Sequence, residues 1–346
     1  MSDAAYHAHP PARGAAGSAS MRRMRAVRCH ELIGPSGLRV DEIADPTPGA
    51  GEVLIEVRAA GVNFPDILVT QGKYQFKPTP PFVPGGEVAG VVQAVGAGVT
   101  SFAPGDRVAA FMLHGAFAER VVVAEQAVYP LPAAVPFEVG ATSVLTYGTT
   151  MHALVDRAAL AAGETLLVLG AAGGVGIAAV EIGKLLGARV IAAASSEDKL
   201  AFCRAHGADL GIDYAKENLK ERAKALAPAG VDVVYDPVGG AHTEAALRAI
   251  GWAGRHLVVG FASGTIPSIP ANLMLLKSCQ LVGVFWGAFA AREPERNRAH
   301  LARVFAWIAE GQLRPHVDAT LSFAEAGSAL ERLARREVQG KLALVP

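Results

Sequence analysis

The chain of 346 residues has little that would tie it to a disulfide framework, a metal cluster, a membrane or a nucleic acid. Only three cysteines occur, Cys29, Cys203 and Cys279, far apart and in no C-x-x-C pair, and no H-x-x-x-H pair is present. Such spacing reads as three reduced, mostly buried thiols of a cytoplasmic protein. Neither sign of charge predominates: 32 Lys and Arg balance 32 Asp and Glu. A zero net charge argues against nucleic acid or an anionic membrane surface as the partner and leaves a small molecule as the expectation. No uncharged apolar run reaches the roughly 18 residues that a membrane-crossing helix needs. Residues 1–20 are rich in Ala, Gly, Pro and Ser and lack the apolar segment of a signal peptide. They read as a disordered tail, with Met21 or Met24 as alternative starts.

What is present is a hydrophobic content of 51% with 18% charged residues, enough for substantial cores and, at this length, for two domains. The most informative stretch is TLLVLGAAGGVGIAAVEIGKLLG, from Thr165 to Gly187. A short apolar run of strand length (Leu166 to Leu169) leads into glycines and then into helix-forming residues. Strand, glycine turn and helix in that order is the context in which a glycine-rich motif binds a dinucleotide. The segment Ala172, Gly173, Gly174, Val175 and Gly176 is the expected pyrophosphate cradle, with Ala171 where the first glycine of G-x-G-x-x-G usually stands. Gly173 is expected to make the tight turn, and Gly176 to let the helix approach the strand. The free N–H groups and positive dipole end of the helix would face the phosphates.

From Arg25 to about Tyr147 the sequence is β-rich. GEVLIEVRAAG alternates Val53, Ile55 and Val57 with Leu54, Glu56 and Arg58, and short runs such as EVAGVVQAVG and AERVVV follow between prolines and glycines. Many short strands between turns suggest a small barrel-like β domain. Beyond Ala141 the pattern changes to strand–helix alternation through CQLVGVFW, which gives a doubly wound parallel sheet. The closing stretch ending in GKLALVP has no place in that sheet and is expected to return to the first domain. The expected organisation is α/β: a discontinuous β-rich unit of residues 21–147 and 287–346, and a nucleotide-binding unit of residues 148–286.

In NAD binders an acidic residue follows the second strand and bonds the ribose hydroxyls. Here Ala194 is followed by Ser195 and Ser196, with Lys199 close by. Two hydroxyls and a lysine suit a 2′-phosphate, whereas a carboxylate would repel it, so NADPH is expected. Ser195 or Ser196 also reads simply as a helix cap.

With AAGVNFPDILVTQGKY, PGGEVAGVVQAVG, GDRV, GAFAERVVV, the AAGGVG turn, VVYDPVGG and QGKLALVP in this order, the chain resembles the medium-chain dehydrogenase/reductase superfamily. Within it, the sequence is similar to the zinc-free quinone oxidoreductases, the zeta-crystallin-like group. The resemblance implies a GroES-like catalytic domain beside a Rossmann-type domain. Zinc alcohol dehydrogenases carry a Cys ligand after the AAGV-type strand and a His in a GHE motif. Asn63 and Gly86 stand at those positions here, and Arg107 to Val123 contains no cysteine of a structural zinc lobe. Zinc requires thiolate or imidazole ligands in a converging set, so a metal-free site is expected.

Without a metal to polarise an alcohol, the expected substrates are quinones or enones, already electron-poor enough to accept hydride with hydrogen-bond help alone. The resemblance places Asn63, Asp66 and Tyr74 in the cleft beside the nicotinamide. Asn63 would donate to the cofactor ribose or a carbonyl oxygen, Tyr74 would supply a proton, and Asp66 would act directly or order the loop. It places Thr149 beneath the nicotinamide and Tyr214 beside the adenosine phosphate. Gly260, Phe261 and Ala262 lie at the carboxyl edge of the sheet. Phe285 and Trp286 end the last strand, either near the nicotinamide ribose or in core or dimer packing, and Lys341 would reach the cofactor phosphate. A homodimer is implied, formed by edge strands near Leu281 to Phe285. Two other readings stand beside the quinone reductase: an enoyl-CoA or acryloyl-CoA type reductase, for which Arg292, Arg296, Arg298 and Arg303 would form a phosphate patch, although they read more simply as a charged helix face, and a low-turnover NADPH-binding structural or redox-sensing protein.

Overall fold

The computed structural model describes residues 22–346; the tail expected over residues 1–20 and the alternative start at Met21 lie outside them. Fifteen strands follow in chain order: β1 (Arg23–Cys29), β2 (Leu38–Ala44), β3 (Glu52–Val62), β4 (Glu87–Val95), β5 (Arg107–Phe111), β6 (Arg120–Ala124), β7 (Val128–Pro130), β8 (Thr165–Leu169), β9 (Arg189–Ala194), β10 (Leu210–Asp213), β11 (Val231–Asp236), β12 (Ile250–Val258), β13 (Gln280–Gly283), β14 (Val317–Ser322) and β15 (Lys341–Val345). Four helices matter for the site: α1 (Phe64–Thr70), α2 (Phe137–Met151), α3 (Gly174–Leu185) and α4 (Glu197–Ala205).

Strands β8 to β13 form one six-stranded sheet in the order β10-β9-β8-β11-β12-β13, and every pairing is parallel. The order reverses between β8 and β11. In open sheets of this kind the crevice for a ligand lies at that switch, outside the carboxyl ends of the strands. The residues of β8 show why the strand is central. Leu166 and Val168 enter one core with Ile177, Val180 and Ile182, while Leu167 and Leu169 enter the core of the opposite face. A strand apolar on both faces needs helices on both sides, which is the parallel-sheet condition.

A second, seven-stranded sheet runs β14-β15-β3-β4-β5-β7, with β6 also paired to β3. In β3, Val53, Ile55 and Val57 turn into the core while Leu54, Glu56 and Arg58 lie toward the outside, which is the period-2 pattern of a half-covered strand. The last strand, β15, pairs antiparallel with β3 through Leu342–Val62, Ala343–Gly61 and Leu344–Ala60, and parallel with β14. The closing segment thus joins the sheet of the first part of the chain. Helix α2 crosses residue 147, so the expected boundary there falls inside one helix. It continues as a π-helical turn, His152–Arg157, and packs on β3, β4, β5 and α3 alike.

Candidate active site

The glycine turn follows β8. The left-handed backbone is at Gly170 (φ +58), not at Gly173, which has an extended conformation (φ −81, ψ 170) and precedes α3 as its N-cap. A side chain at Gly176 is excluded as expected: its Cβ would lie 2.3 Å from the Gly170 carbonyl oxygen and 2.8 Å from Ala171 Cα. Helix and strand therefore meet backbone to backbone. The N–H of Gly173 is used inside the turn, donating to Gly170 O at 3.0 Å. Gly174, Val175 and Gly176 head α3, where the first N–H groups of a helix have no partner of their own. Ala172 is buried, and its carbonyl accepts from Gly340 N at 2.8 Å, which docks the start of β15 on the turn.

Beyond β9, Ser196 Oγ accepts from Lys199 N and caps α4, while Lys199 Nζ reaches Ser195 Oγ at 3.4 Å. The cap and the hydroxyl pair are thus both present. Lys199 Nζ also donates to Arg336 O at 2.8 Å, and the Arg336 guanidinium extends to Ala262 O at 3.5 Å. Burial raises the Tyr214 phenol, against the Ser195 hydroxyl and the Arg336 charge, which both lower it. Ser195, Lys199, Tyr214, Ala262 and Arg336 thus surround one cationic corner. Arg336 escaped the sequence reading; its left-handed backbone (φ +59) sits just before the QGKL segment that was singled out. Gly260, Phe261 and Ala262 follow β12 at the carboxyl edge. Ala262 N donates to Pro237 O at 3.0 Å, and a Cβ on Gly239 would meet the Phe261 ring at 2.9 Å.

A second centre lies at the end of β3. Asn63, 4% exposed, caps α1, and its N–H donates to Asp66 Oδ2 at 2.7 Å. Its amide Nδ2 donates to Glu87 Oε1 at 2.8 Å, and its Oδ1 accepts from Lys341 Nζ. Glu87 is wholly buried at the start of β4. Its Oε1 also accepts from Lys341 Nζ at 2.9 Å, and Oε2 from Leu145 N in α2 at 2.9 Å. Lys341 gives its remaining proton to Val62 O at 2.8 Å. Asp66, 5% exposed, completes the group: burial pushes its carboxyl up to about 7, and Glu87 adds to this, while the Asn63 N–H and the Lys341 charge work against it. The Tyr74 ring packs on the small cluster of Cys29, Val69 and Phe82, and burial together with the Asp66 charge raises its phenol.

Several sequence expectations change here. Lys341 does not extend to a cofactor phosphate; all its donors are spent on Val62, Asn63 and Glu87, and only its stem touches the glycine turn, where a Gly174 Cβ would lie 2.7 Å from Lys341 Cδ. Asn63 is held from both ends of its amide, so it serves as a fixed wall rather than a free donor. Phe285 and Trp286 do not end a strand: β13 stops at Gly283, and Trp286 opens a helix, Trp286–Arg292. Trp286 is 4% exposed, packs on Gly148, meets Phe111 edge-on at 4.8 Å and donates to Asn297 Oδ1 at 2.9 Å, a core position. Phe285 is 65% exposed. Thr149 is buried on α2. Arg296 pairs with Asp156 and Glu293, Arg303 lies over the Trp307 ring, and Arg298 lines a hollow with Tyr129 and Phe305.

Two family models match the chain: the alcohol dehydrogenase GroES-like domain over residues 49–133 and the zinc-binding dehydrogenase over residues 174–305. The quinone oxidoreductase-like protein 2 homolog of Nematostella vectensis is 37% identical over 324 residues, 92% of this chain and 88% of that protein. Human quinone oxidoreductase is 32% identical, with 90% and 94% covered. The solved structure of Escherichia coli quinone oxidoreductase complexed with NADPH matches with a TM-score of 0.86 at 29% identity, covering 93% of this chain and all of that one. The two-sheet architecture and the glycine turn define a medium-chain dehydrogenase/reductase. The chain belongs to the quinone oxidoreductase group of that superfamily.

Zinc, which the second family model names, does not fit the residues present. Among the described residues no three His, Cys, Asp or Glu side chains converge on a point that could hold a metal ion. The Asn63 amide oxygen that could approach one already faces an ammonium.

Proposed function

We propose that the protein reduces quinones or α,β-unsaturated carbonyl compounds with NADPH, without zinc, in the cleft between its two sheets. The observation that carries this reading is the junction at β15. Gly340 binds the glycine turn, and Lys341, the next residue, enters a buried acid–amide pocket with Glu87 and Asn63. A dinucleotide site and a proton-handling site are thereby held side by side. The NADPH bound by the Escherichia coli relative supports the choice of cofactor, as does the cationic corner at Ser195, Lys199 and Arg336, which suits a 2′-phosphate.

NADPH supplies a hydride. The chain's own residues supply the rest. The head of α3 takes the pyrophosphate on Gly174, Val175 and Gly176. Ser195, Ser196, Lys199, Tyr214 and Arg336 hold the adenosine phosphate, and Gly260, Phe261 and Ala262 border the groove. Tyr74 gives the product oxygen or enolate its proton, and Asp66, protonated below about pH 7, replaces it. Thr149, on α2, lies beneath the groove. The organisation into a GroES-like unit (21–147 and 287–346) around a nucleotide-binding unit (148–286) belongs to this reading, with α2 shared across the border. So do a cytoplasmic, reducing location, which suits three buried unpaired cysteines, and a homodimer. The strand β13 is a sheet edge that carries exposed Leu281 and is followed by exposed Phe285, the kind of edge that a second copy covers.

The test is oxidation of NADPH and NADH against a panel of quinones, enones and acyl-CoA enones, with metal analysis of the same sample. Turnover of a quinone or simple enone with NADPH preferred and no stoichiometric zinc is expected. Preference for acyl-CoA enones would assign the thioester reductase instead, and tight NADPH binding with no turnover a binding protein.

A further inference from the structure

Glu87 and Lys341 sit between the two regions assigned to ligands, and only the Lys341 stem touches one of them, at Gly174. Their ion pair is 2.9 Å long, with side chains 0% and 8% exposed. Charge that deep is costly unless it is paired and fully hydrogen-bonded. Here every partner is accounted for, and each partner belongs to a different element. Glu87 reaches the Asn63 amide at the head of α1 and Leu145 N in α2. Lys341 reaches Val62 O and Asn63, and its stem fills the space beside Gly174 at the head of α3. Room for the pair is built into β3 as well: a Cβ on Gly61 would stand 2.6 Å from Glu87 Oε1 and 2.3 Å from Ala141 O.

We propose that Glu87 and Lys341 are positioning residues for hydride transfer: their ion pair locks the Asn63 amide, registers α1 with its Asp66 against the glycine turn, and sets the charge around Asp66. The inference rests on the reductase reading above for its kinetic part and on the apo protein alone for its electrostatic part.

Three groups face Asp66 with charge or protons: Tyr74 from the loop after α1, Glu87 from β4 and Lys341 from β15. Glu87 raises the Asp66 carboxyl and Lys341 lowers it. Glu87→Gln removes one negative charge while keeping an acceptor for Lys341 and Asn63, so Asp66 must then titrate at lower pH. Lys341→Met alone strands a buried carboxylate and can fail to fold. The double variant Lys341→Met with Glu87→Gln is neutral and removes that risk.

The experiment has two readouts. The Asp66 carboxyl is followed by 13C NMR in Asp-labelled apo protein, with Asp66→Asn for assignment. It is expected near pH 7 in the wild type and displaced downward in Glu87→Gln; coincident curves overturn the inference. In steady-state kinetics with NADPH and the best acceptor, the double variant is expected to lose about tenfold or more in kcat, the scale of a misplaced reacting group. Its NADPH Kd is expected to stay within about threefold. An unchanged kcat overturns the positioning role. Absence of turnover in the wild type would remove the reductase reading alone, since the NMR titration still decides whether the pair sets the charge at Asp66.

Discussion

Lys341 Nζ and Glu87 Oε1 lie 2.9 Å apart in the interior, the lysine opening the last strand and the glutamate opening β4. The bond links the two strands that flank β3 in the seven-stranded sheet. Removing one member of such a pair leaves an uncompensated buried charge, which costs about 3–5 kcal/mol, whereas removing both is close to neutral. Lys341→Met is therefore expected to lower the urea midpoint sharply, and the Lys341→Met, Glu87→Gln double variant to recover most of the loss. Two equally destabilised variants would contradict the pairing.

Asp66 gives the protein a pH dependence of its own. Burial pushes its carboxyl up to about 7 in the folded state, against an ordinary 3.8. The folded chain thus holds a proton that the unfolded chain releases between those values. This contribution to stability is present in full below pH 3.8 and is lost as the pH rises toward 7. Asp66→Asn has no such slope. Relative to the wild type it should gain stability on going from pH 4 to pH 8, by an amount on the order of a few kcal/mol, measured by urea unfolding at each pH. A constant difference across that range would mean that Asp66 is not perturbed. If Asp66 passes on its proton, wild-type turnover should also decline as pH rises through about 7.

The cofactor preference should reside at the cationic corner. Arg336→Ala and Lys199→Ala each remove a cation facing the proposed 2′-phosphate, an interaction of about 1.5–3 kcal/mol. NADPH affinity, read by quenching of protein fluorescence, should fall roughly tenfold or more, while NADH affinity changes little. Equal losses for both cofactors would place the phosphate elsewhere.

Gly176→Ala places a methyl group 2.3 Å from the Gly170 carbonyl oxygen. Backbone cannot yield as a flexible side chain does, so α3 must move away from β8. Loss of NADPH binding by about tenfold or more is expected, together with lower thermal stability; binding at wild-type strength would show that the turn tolerates the shift.

The edge strand offers a separate test. Leu281→Lys with Phe285→Asp should yield a monomer in light scattering if β13 pairs with a second copy, since charge on an edge blocks strand addition. A dimer that survives both changes would use another face.

The glycine turn was readable because a strand, a glycine cluster and a helical run are local patterns, and because glycine is the one residue that allows such close approach. Which glycine carries the left-handed backbone was not readable: sequence shows Gly170 and Gly173 alike, and only the path of the chain separates φ +58 from φ −81. The apolar run CQLVGVFW reads as continuous strand. Pairing with β12 ends at Gly283 opposite Val258, however, and Trp286 finds a deeper partner in Gly148 than any strand would provide. Asn63 and Asp66 could be placed at the site by resemblance. The saturation of Asn63 depends on Glu87 and Lys341, which come together only when distant segments meet. Arg336 had no signal beyond its proximity to QGKL.

The separation of Glu87 from Lys341 along the chain, 254 residues, gives synthesis a direction. At about 5–20 residues per second, a ribosome makes the glutamate roughly ten seconds to a minute before its counter-ion. Through that interval the β-rich sheet lacks its closing strand and holds a carboxylate with no lysine to meet it. The nucleotide-binding sheet, whose strands all lie between the two, can be complete by then and can serve as the surface on which β15 is finally laid.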